Sequence, residues 1–175
     1  MTTLLNPLPG NLLLVVAPGA GTALMMELVA RLAARGPLRL LDGGNRIDIH
    51  AVSRALAREP LDLRAALGRI QLARAFTCYQ VATLLHETPI QPIPTLALDL
   101  LSTFYDESVP AAESLRLLRS CILQLRRLNQ WAPVAVSARS DPPANRPELL
   151  QALQAAADQA WILEPHIPPP PARLF

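Results

Sequence analysis

The segment 17–23, with the sequence A-P-G-A-G-T-A, is the part of this chain best suited to binding a phosphate group. It follows a short apolar run and precedes an amphipathic one, which is the strand, glycine turn and helix order of phosphate-binding loops. In such a loop, backbone N–H groups and the helix N-terminus hold the anion. The residues concerned are Gly19, Ala20, Gly21 and Thr22. A tight turn with Thr22 as the N-cap of the helix is the alternative.

The turn lacks the cation that nucleotide hydrolysis needs. All 16 basic residues of the chain are arginine, and none is lysine. A P-loop of the form G-x-x-x-x-G-K-[ST] uses lysine as a compact ammonium that reaches the β- and γ-phosphates. With Gly21 as the last glycine of the loop, Thr22 stands where the lysine should be. We therefore expect a protein without an ATPase activity of its own, and without a required cofactor.

Six other residues of reactive types are scattered along the chain. The histidines have no carboxylate or cysteine at metal-ligand spacing, and the serines lie outside any nucleophile-elbow pattern. A surface or capping role is expected for each, and no metal site is predicted. The residues are His50, His86, His166, Ser102, Ser137 and Ser140.

Composition indicates one domain without a dominant charge. A length of 175 residues with 51% hydrophobic residues is enough for one core. A net charge of +2 is lower than a dedicated nucleic-acid binder usually carries. Cys78 and Cys121 lie in apolar or helical runs and are expected to be free thiols. The first apolar run is too short to span a membrane. We expect a soluble, cytoplasmic protein with no membrane contact.

Short apolar runs alternate with longer amphipathic ones, which predicts β-α units around a mostly parallel sheet. Strands are predicted at 12–17, 38–42, 69–73, 95–100, 133–137 and 160–163, each too apolar to be half-exposed. Helices are predicted at 23–34, 49–57, 61–67, 79–86, 111–129 and 147–158. In the longest helix, Leu115, Leu118, Ile122 and Leu125 are expected to face the sheet. Its other side carries Arg116, Arg119, Arg126 and Arg127.

Residues 165–175 are predicted to form a tail beyond a domain of residues 1–164. Prolines 168–171 favour an extended polyproline II segment. Leu174 and Phe175 follow it and have no obvious place in the core of the domain. We expect these two residues to dock on another protein. The alternative is that the tail covers the surface of its own domain or of a second copy.

Three segments together resemble one known family. They are L-L-D-G-G-N-R-I-D at 40–48, A-R-A-F-T-C-Y-Q at 73–80 and A-L-D-L-L-S-T-F at 97–104. From about residue 12 to residue 140, the chain is similar to the ATPase core of the RecA/RadA recombinases. The resemblance implies a RecA-like α/β domain, with a mostly parallel sheet and helices on both faces.

The resemblance also assigns positions, and some of them are altered. Asp99 matches the Walker B aspartate, which helps to hold Mg²⁺ through water, although an aspartate here can also cap the following loop without metal. Gly44 stands where the family has its catalytic glutamate. Arg74 and Gln80 match family positions. The altered positions predict that efficient ATP hydrolysis is lost.

The function implied is that of a non-catalytic RecA/RadA-like accessory protein in DNA repair or recombination. Its partner would be another protein such as a recombinase, a polymerase or a clamp, and a homo-oligomer is an open alternative. A second hypothesis is a switch subunit that binds ATP or GTP weakly, with Mg²⁺, and pairs with an active ATPase. A third is a single-stranded DNA binder that uses Arg116, Arg119, Arg126 and Arg127.

Overall fold

The computed structural model describes residues 7–143 and 145–164. Its six strands form one parallel sheet in the order β3-β2-β4-β5-β1-β6. The strands are β1 (Leu13–Ala17), β2 (Leu38–Asp42), β3 (Ile70–Arg74), β4 (Thr95–Leu98), β5 (Val134–Arg139) and β6 (Gln159–Ile162). The helices are α1 (Thr22–Arg35), α2 (Ile49–Leu56), α3 (Leu63–Gly68), α4 (Cys78–Glu87), α5 (Ala111–Asn129) and α6 (Pro147–Ala156).

The predicted α/β class is confirmed, and each predicted element is present within a few residues of its expected bounds. The fold is compatible with a RecA-like domain. In α5, Leu118 and Leu125 are fully buried as expected, whereas Leu115 and Ile122 are only partly buried. The buried stripe also includes Leu117, Cys121 and Leu128, on the other flank of the same face.

Two cores lie on the two faces of the sheet. In β1, Leu13 and Val15 pack with α1, α2 and α3, whereas Leu14 and Val16 pack with α4, α5 and α6. This explains why β1 is an unbroken apolar run. The chain moves from β1 through β2 to β3 with helices on one face, and returns through β4 and β5 to β6 with helices on the other. Right-handed crossovers require this change of face.

The outermost strands differ from the prediction that every strand is buried. β3 and β6 are the edges of the sheet. Leu72 in β3 is 46% exposed and Ile162 in β6 is 63% exposed. Both runs read as buried strands because they are apolar, and the sequence alone does not reveal which strands lack a second neighbour.

Arginines from other elements bind the carbonyl groups at the ends of three helices. A helix leaves its last carbonyls without partners and carries partial negative charge there. One guanidinium can donate to several of these oxygens at once because its N–H groups are arranged as a fork. The acceptors are the carbonyls of Ala33 and Ala34 for Arg69, of Leu85, His86 and Thr88 for Arg127, and of Ala156 for Arg126.

Arg146 is a buried arginine whose hydrogen-bond acceptors are uncharged. It is 6% exposed. Its Nη1 donates to the Phe104 carbonyl at 2.8 Å and to Ser114 Oγ at 3.1 Å, and its Nη2 donates to the Val109 carbonyl at 2.7 Å. Arg146 therefore joins the segment after β4 to α5. Sequence reasoning did not single it out, because its partners lie 32 to 42 residues away.

Arg146→Met should lower the free energy of unfolding by about 2–4 kcal/mol, because three buried acceptors lose their donor. Urea denaturation measures this change. Arg119→Met removes an exposed arginine of α5 and should change stability by less than about 0.5 kcal/mol. Equal effects of the two substitutions would contradict a structural role for Arg146.

Candidate functional site at the carboxyl edge of the sheet

Three crevices lie at the carboxyl edge, each between neighbouring strands whose following helices pack on opposite faces. The first lies between β1 and β5, the second between β2 and β4, and the third between β2 and β3. Ligands of open α/β sheets bind in crevices of this kind. The predicted phosphate turn follows β1 and belongs to the first crevice. Asp42, Gly44 and Asp99 belong to the second.

The turn after β1 has an uncommon backbone. Gly19, Ala20 and Gly21 have φ angles of 57°, 58° and 61°, so three consecutive residues are left-handed. Ala20 bears a Cβ that disfavours this conformation. The φ of Gly21 favours glycine, and a Cβ there would also be in tight contact with the Cβ of Ala17, at 3.2 Å.

Gly21, and not Thr22, is the N-cap of α1. Thr22 is the first residue of the helix, and its hydroxyl donates to the Gly19 carbonyl at 2.7 Å. The interpretation of Thr22 as the N-cap is therefore wrong. No side chain among the described residues caps this helix end. The left-handed turn places Gly21, which has no side-chain acceptor, at the capping position and moves Thr22 past it.

Asp99, the predicted Walker B aspartate, is 1% exposed and bonded within the protein. Its Oδ2 accepts a hydrogen bond from Arg46 Nε at 2.9 Å, which is also an ion pair. Its N–H donates to Ser137 Oγ at 3.0 Å. With φ at 45°, its backbone is left-handed, which is uncommon for a residue with a side chain. Arg46 thus neutralises the carboxylate that the resemblance assigns to magnesium.

Gly44, at the position of the family's glutamate, lies against Asp99. A Cβ placed on Gly44 would be 2.5 Å from Asp99 Cβ and 2.6 Å from Asp99 Oδ2. Real Cβ atoms do not approach other atoms so closely, so any side chain here forces Asp99 to move. The absence of the glutamate is therefore a packing requirement of the buried Asp99.

Asp42 fixes the loop that carries Arg46 and Gly44. Its buried carboxylate accepts the N–H of Arg46 at 2.7 Å and the N–H of Ile47 at 3.2 Å. Arg74 Nε lies 3.4 Å from Asp42 Oδ2. Each of the two buried carboxylates thus faces one arginine, and Asp42 positions the backbone of the arginine that binds Asp99. An unpaired carboxylate at such a site would be strongly destabilising.

Tyr105 lies close to these charges. Its hydroxyl is buried and has no hydrogen-bond partner among the described residues. Burial, with a smaller contribution from the Asp99 carboxylate, raises the pKa of Tyr105 to about 12. Arg139, which forms an ion pair with Asp141 at 2.9 Å, opposes this shift. The phenol therefore stays neutral well above its usual range.

The motif at 73–80 has structural contacts that its sequence did not reveal. Arg74 faces Asp42, as described above. Thr77 Oγ1 accepts the N–H of Gln80 at 3.2 Å and so caps α4. Gln80 Oε1 in turn accepts the N–H of Phe76 at 2.8 Å. This reciprocal arrangement is close to a capping box, and it leaves the Phe76 side chain exposed.

Three of the four arginines predicted to face DNA make contacts within the protein. Arg116 pairs with Glu113 at 2.7 Å, whereas Arg126 and Arg127 bind the ends of α6 and α4. Arg119 is exposed. The fold therefore uses three of the four in internal contacts, and a DNA-facing role for them stays a prediction.

The isolated candidates do not gather into a further site. Among residues 7–143 and 145–164, no group of three His, Cys, Asp or Glu side chains could hold a metal ion. His50 and His86 are exposed. Ser137 is buried, which contradicts a surface role, and it accepts the Asp99 N–H instead. No helix in the described part of the chain is long and apolar enough to cross a membrane.

His166 and the predicted docking pair Leu174 and Phe175 fall outside the described residues.

No protein-family model and no curated protein matches the chain. The likeness to recombinase cores consequently depends on the three segments quoted above and on an architecture that is compatible with them.

Gly44→Ala should lower the free energy of unfolding by about 1–3 kcal/mol, because the new Cβ overlaps Asp99. Gly68→Ala is the matched control, since a Cβ on Gly68 meets no atom within 4 Å. Chemical denaturation of both variants measures the difference.

A double-mutant cycle identifies the atom responsible. Asp99→Gly removes the overlapping side chain and suits the left-handed backbone at that position. The double variant Gly44→Ala, Asp99→Gly should therefore be more stable than the sum of the single changes implies, by about 1 kcal/mol or more. Additive effects would show that the Gly44 contact is not the constraint.

Tyr105 should ionise with a midpoint at about pH 12 in the folded protein. In Tyr79→Phe it is the only tyrosine left, so tyrosinate absorbance reports it alone. Unfolding should return its pKa to about 10. Because the folded pKa is raised, the contribution of Tyr105 to stability is complete below pH 10 and is lost as the pH rises from about 10 to 12. A midpoint near 10 in the folded state would contradict this environment.

Proposed function

We propose that this protein is a non-catalytic RecA/RadA-like accessory protein that acts through a protein partner in DNA repair or recombination. The ion pair between Arg46 and Asp99 carries the proposal. It gives the Walker-B-like carboxylate a permanent cation from the protein itself. A carboxylate so paired has no need of Mg²⁺ for charge balance.

The surroundings of Asp99 support the loss of catalysis. Phosphoryl transfer depends on groups that position the nucleophile and stabilise charge on the phosphates. The turn after β1 has no lysine, and the space that a glutamate at position 44 would need is occupied by Asp99. The groups required for hydrolysis are thus replaced by groups that bind one another.

The role in repair or recombination comes from the family resemblance. Once the hydrolytic groups are lost, a retained core can still present surfaces to other proteins. Fold alone does not fix function, so the partner has to be identified by experiment.

A weak nucleotide-binding switch is the second candidate, and the uncapped N-terminus of α1 favours it. The first N–H groups of α1 have no side-chain acceptor in the described part of the chain and follow a glycine-bearing turn, which suits an anion. The effect of nucleotide on folding stability distinguishes the two functions. A ligand at 100 times its Kd stabilises the folded state by about 2.7 kcal/mol, whereas a nucleotide that does not bind has no such effect.

Wild-type protein should hydrolyse ATP no faster than Asp99→Ala, and millimolar ATP with Mg²⁺ should leave the Tm nearly unchanged. Phosphate release and thermal unfolding measure the two properties. Turnover that depends on Asp99 would overturn the non-catalytic proposal. A rise in Tm of several degrees without turnover would favour the switch.

Affinity capture with the intact chain tests the partner. A recombinase, polymerase or clamp that is retained, and that also binds when purified, would support the accessory role. Capture of an unrelated metabolic enzyme that binds directly would count against it.

A further inference from the structure

A cavity of about 390 Å³ lies over the carboxyl ends of β3, β2 and β4. Phe76 and Tyr105 contribute aromatic rings to its wall, and Arg74, Asn45 and Ser102 contribute hydrogen-bond donors. Its lining residues follow β2, β3 and β4, and the phosphate turn follows β1. Its size is in the range of ligand-binding clefts.

Phe76 is held in an exposed position. Its side chain is 73% exposed, the largest exposed fraction among the large hydrophobic residues in the described part of the chain. Its N–H donates to Gln80, and Thr77 caps the helix that follows. The ring is therefore presented by a fixed backbone, which reduces the conformational entropy lost when something packs against it.

We propose that this cavity is the docking site of the chain's own proline segment, residues 168–171. The prolines would pack against the rings of Phe76 and Tyr105. Aromatic-lined grooves of this kind bind polyproline II segments, which lose little entropy on binding. This inference goes beyond the proposed function and does not depend on it.

The hydrogen-bonding groups of the two partners are complementary. A run of prolines has carbonyl acceptors and no backbone N–H donor. Around the cavity, the Arg74 guanidinium, the Asn45 amide and the Ser102 hydroxyl can all donate. Arg74 uses Nε toward Asp42, and its side chain is 43% exposed, so its terminal nitrogens can reach a ligand.

The prolines are close enough in sequence to the end of β6 to reach the cavity of their own molecule. Tyr105 follows β4, three strand spacings from β6, and Phe76 follows β3, five spacings from β6, which places the two ends of the cavity about 14 and 24 Å from β6 at about 4.8 Å per spacing. A polyproline II chain advances about 3.1 Å per residue, so Pro168 and Pro171 can lie about 12 and 22 Å from Glu164. The prolines thus cover most of this distance, and the parallel strands place both points at the carboxyl edge.

A nitroxide spin label at Ala172→Cys in the full-length chain tests the proposal. Cys78 and Cys121 are buried and should not react with the label under native conditions. We expect the amide signals of residues 44–46, 76–80 and 102–106 to lose at least half of their intensity relative to the reduced label. The amides of Gly36 and Gly68, at the opposite edge of the sheet, should be unaffected.

Two variants show whether the cavity holds the segment. Phe76→Ala, or replacement of prolines 168–171 by glycine and serine, should restore the signals at least twofold. Leu123→Ala is the matched control, because Leu123 is 67% exposed on α5 and lies outside the cavity. Loss of signal that persists in Phe76→Ala would overturn the assignment. Full intensity in the spin-labelled chain without a second substitution would also overturn it.

A mixed sample distinguishes one chain from two. Isotope-labelled chain without the nitroxide is combined with spin-labelled chain without the isotope. Retained intensity in this sample supports docking within one molecule. Equal loss of signal would mean that the segment enters the cavity of a second copy, which would overturn the proposal.

Discussion

The buried carboxylate of Asp99 constrains the whole carboxyl edge of the sheet. Burial requires a cation, which Arg46 supplies, and it requires space, which only a glycine at position 44 leaves. The loop that carries both residues is fixed by a second buried carboxylate, Asp42. Substituting one residue of the Arg46–Asp99 pair, or of the loop, would expose or unpair a buried charge. Single substitutions that undo this arrangement are therefore destabilising.

The missing glutamate is consequently one aspect of this local structure, whereas the missing lysine belongs to the separate turn after β1. In an ATPase of the family that the chain resembles, the charged side chains at the carboxyl edge bind a nucleotide and a metal ion. Here Asp99 is paired with a cation of the protein itself, Arg46. Gly44, which the resemblance aligns with a catalytic residue, packs against Asp99 and leaves the space that this buried side chain occupies.

The alternation of apolar and amphipathic segments predicted the elements well, because those segments are local and their lengths differ. The site was predicted less well. Arg46 and Asp99 are 53 residues apart, and only the neighbouring positions of β2 and β4 bring them together. Thr22 was assigned to the wrong position because three left-handed residues in succession, one of them alanine, are not expected from sequence. Exposure of Leu72 and Ile162 depends on strand order, which the sequence pattern does not contain.

The arginines at the helix ends also bear on how the domain opens. When the cap is a residue adjacent to the helix in sequence, the cap and the last turn can unwind together without breaking a tertiary contact. In α1, α4 and α6 the last carbonyls are bound from other elements, by Arg69, Arg127 and Arg126. Fraying there must also break a tertiary contact, so these ends should exchange their amide hydrogens mainly through larger, cooperative openings of the domain. The exclusive use of arginine thereby links local helix stability to the cooperativity of the fold.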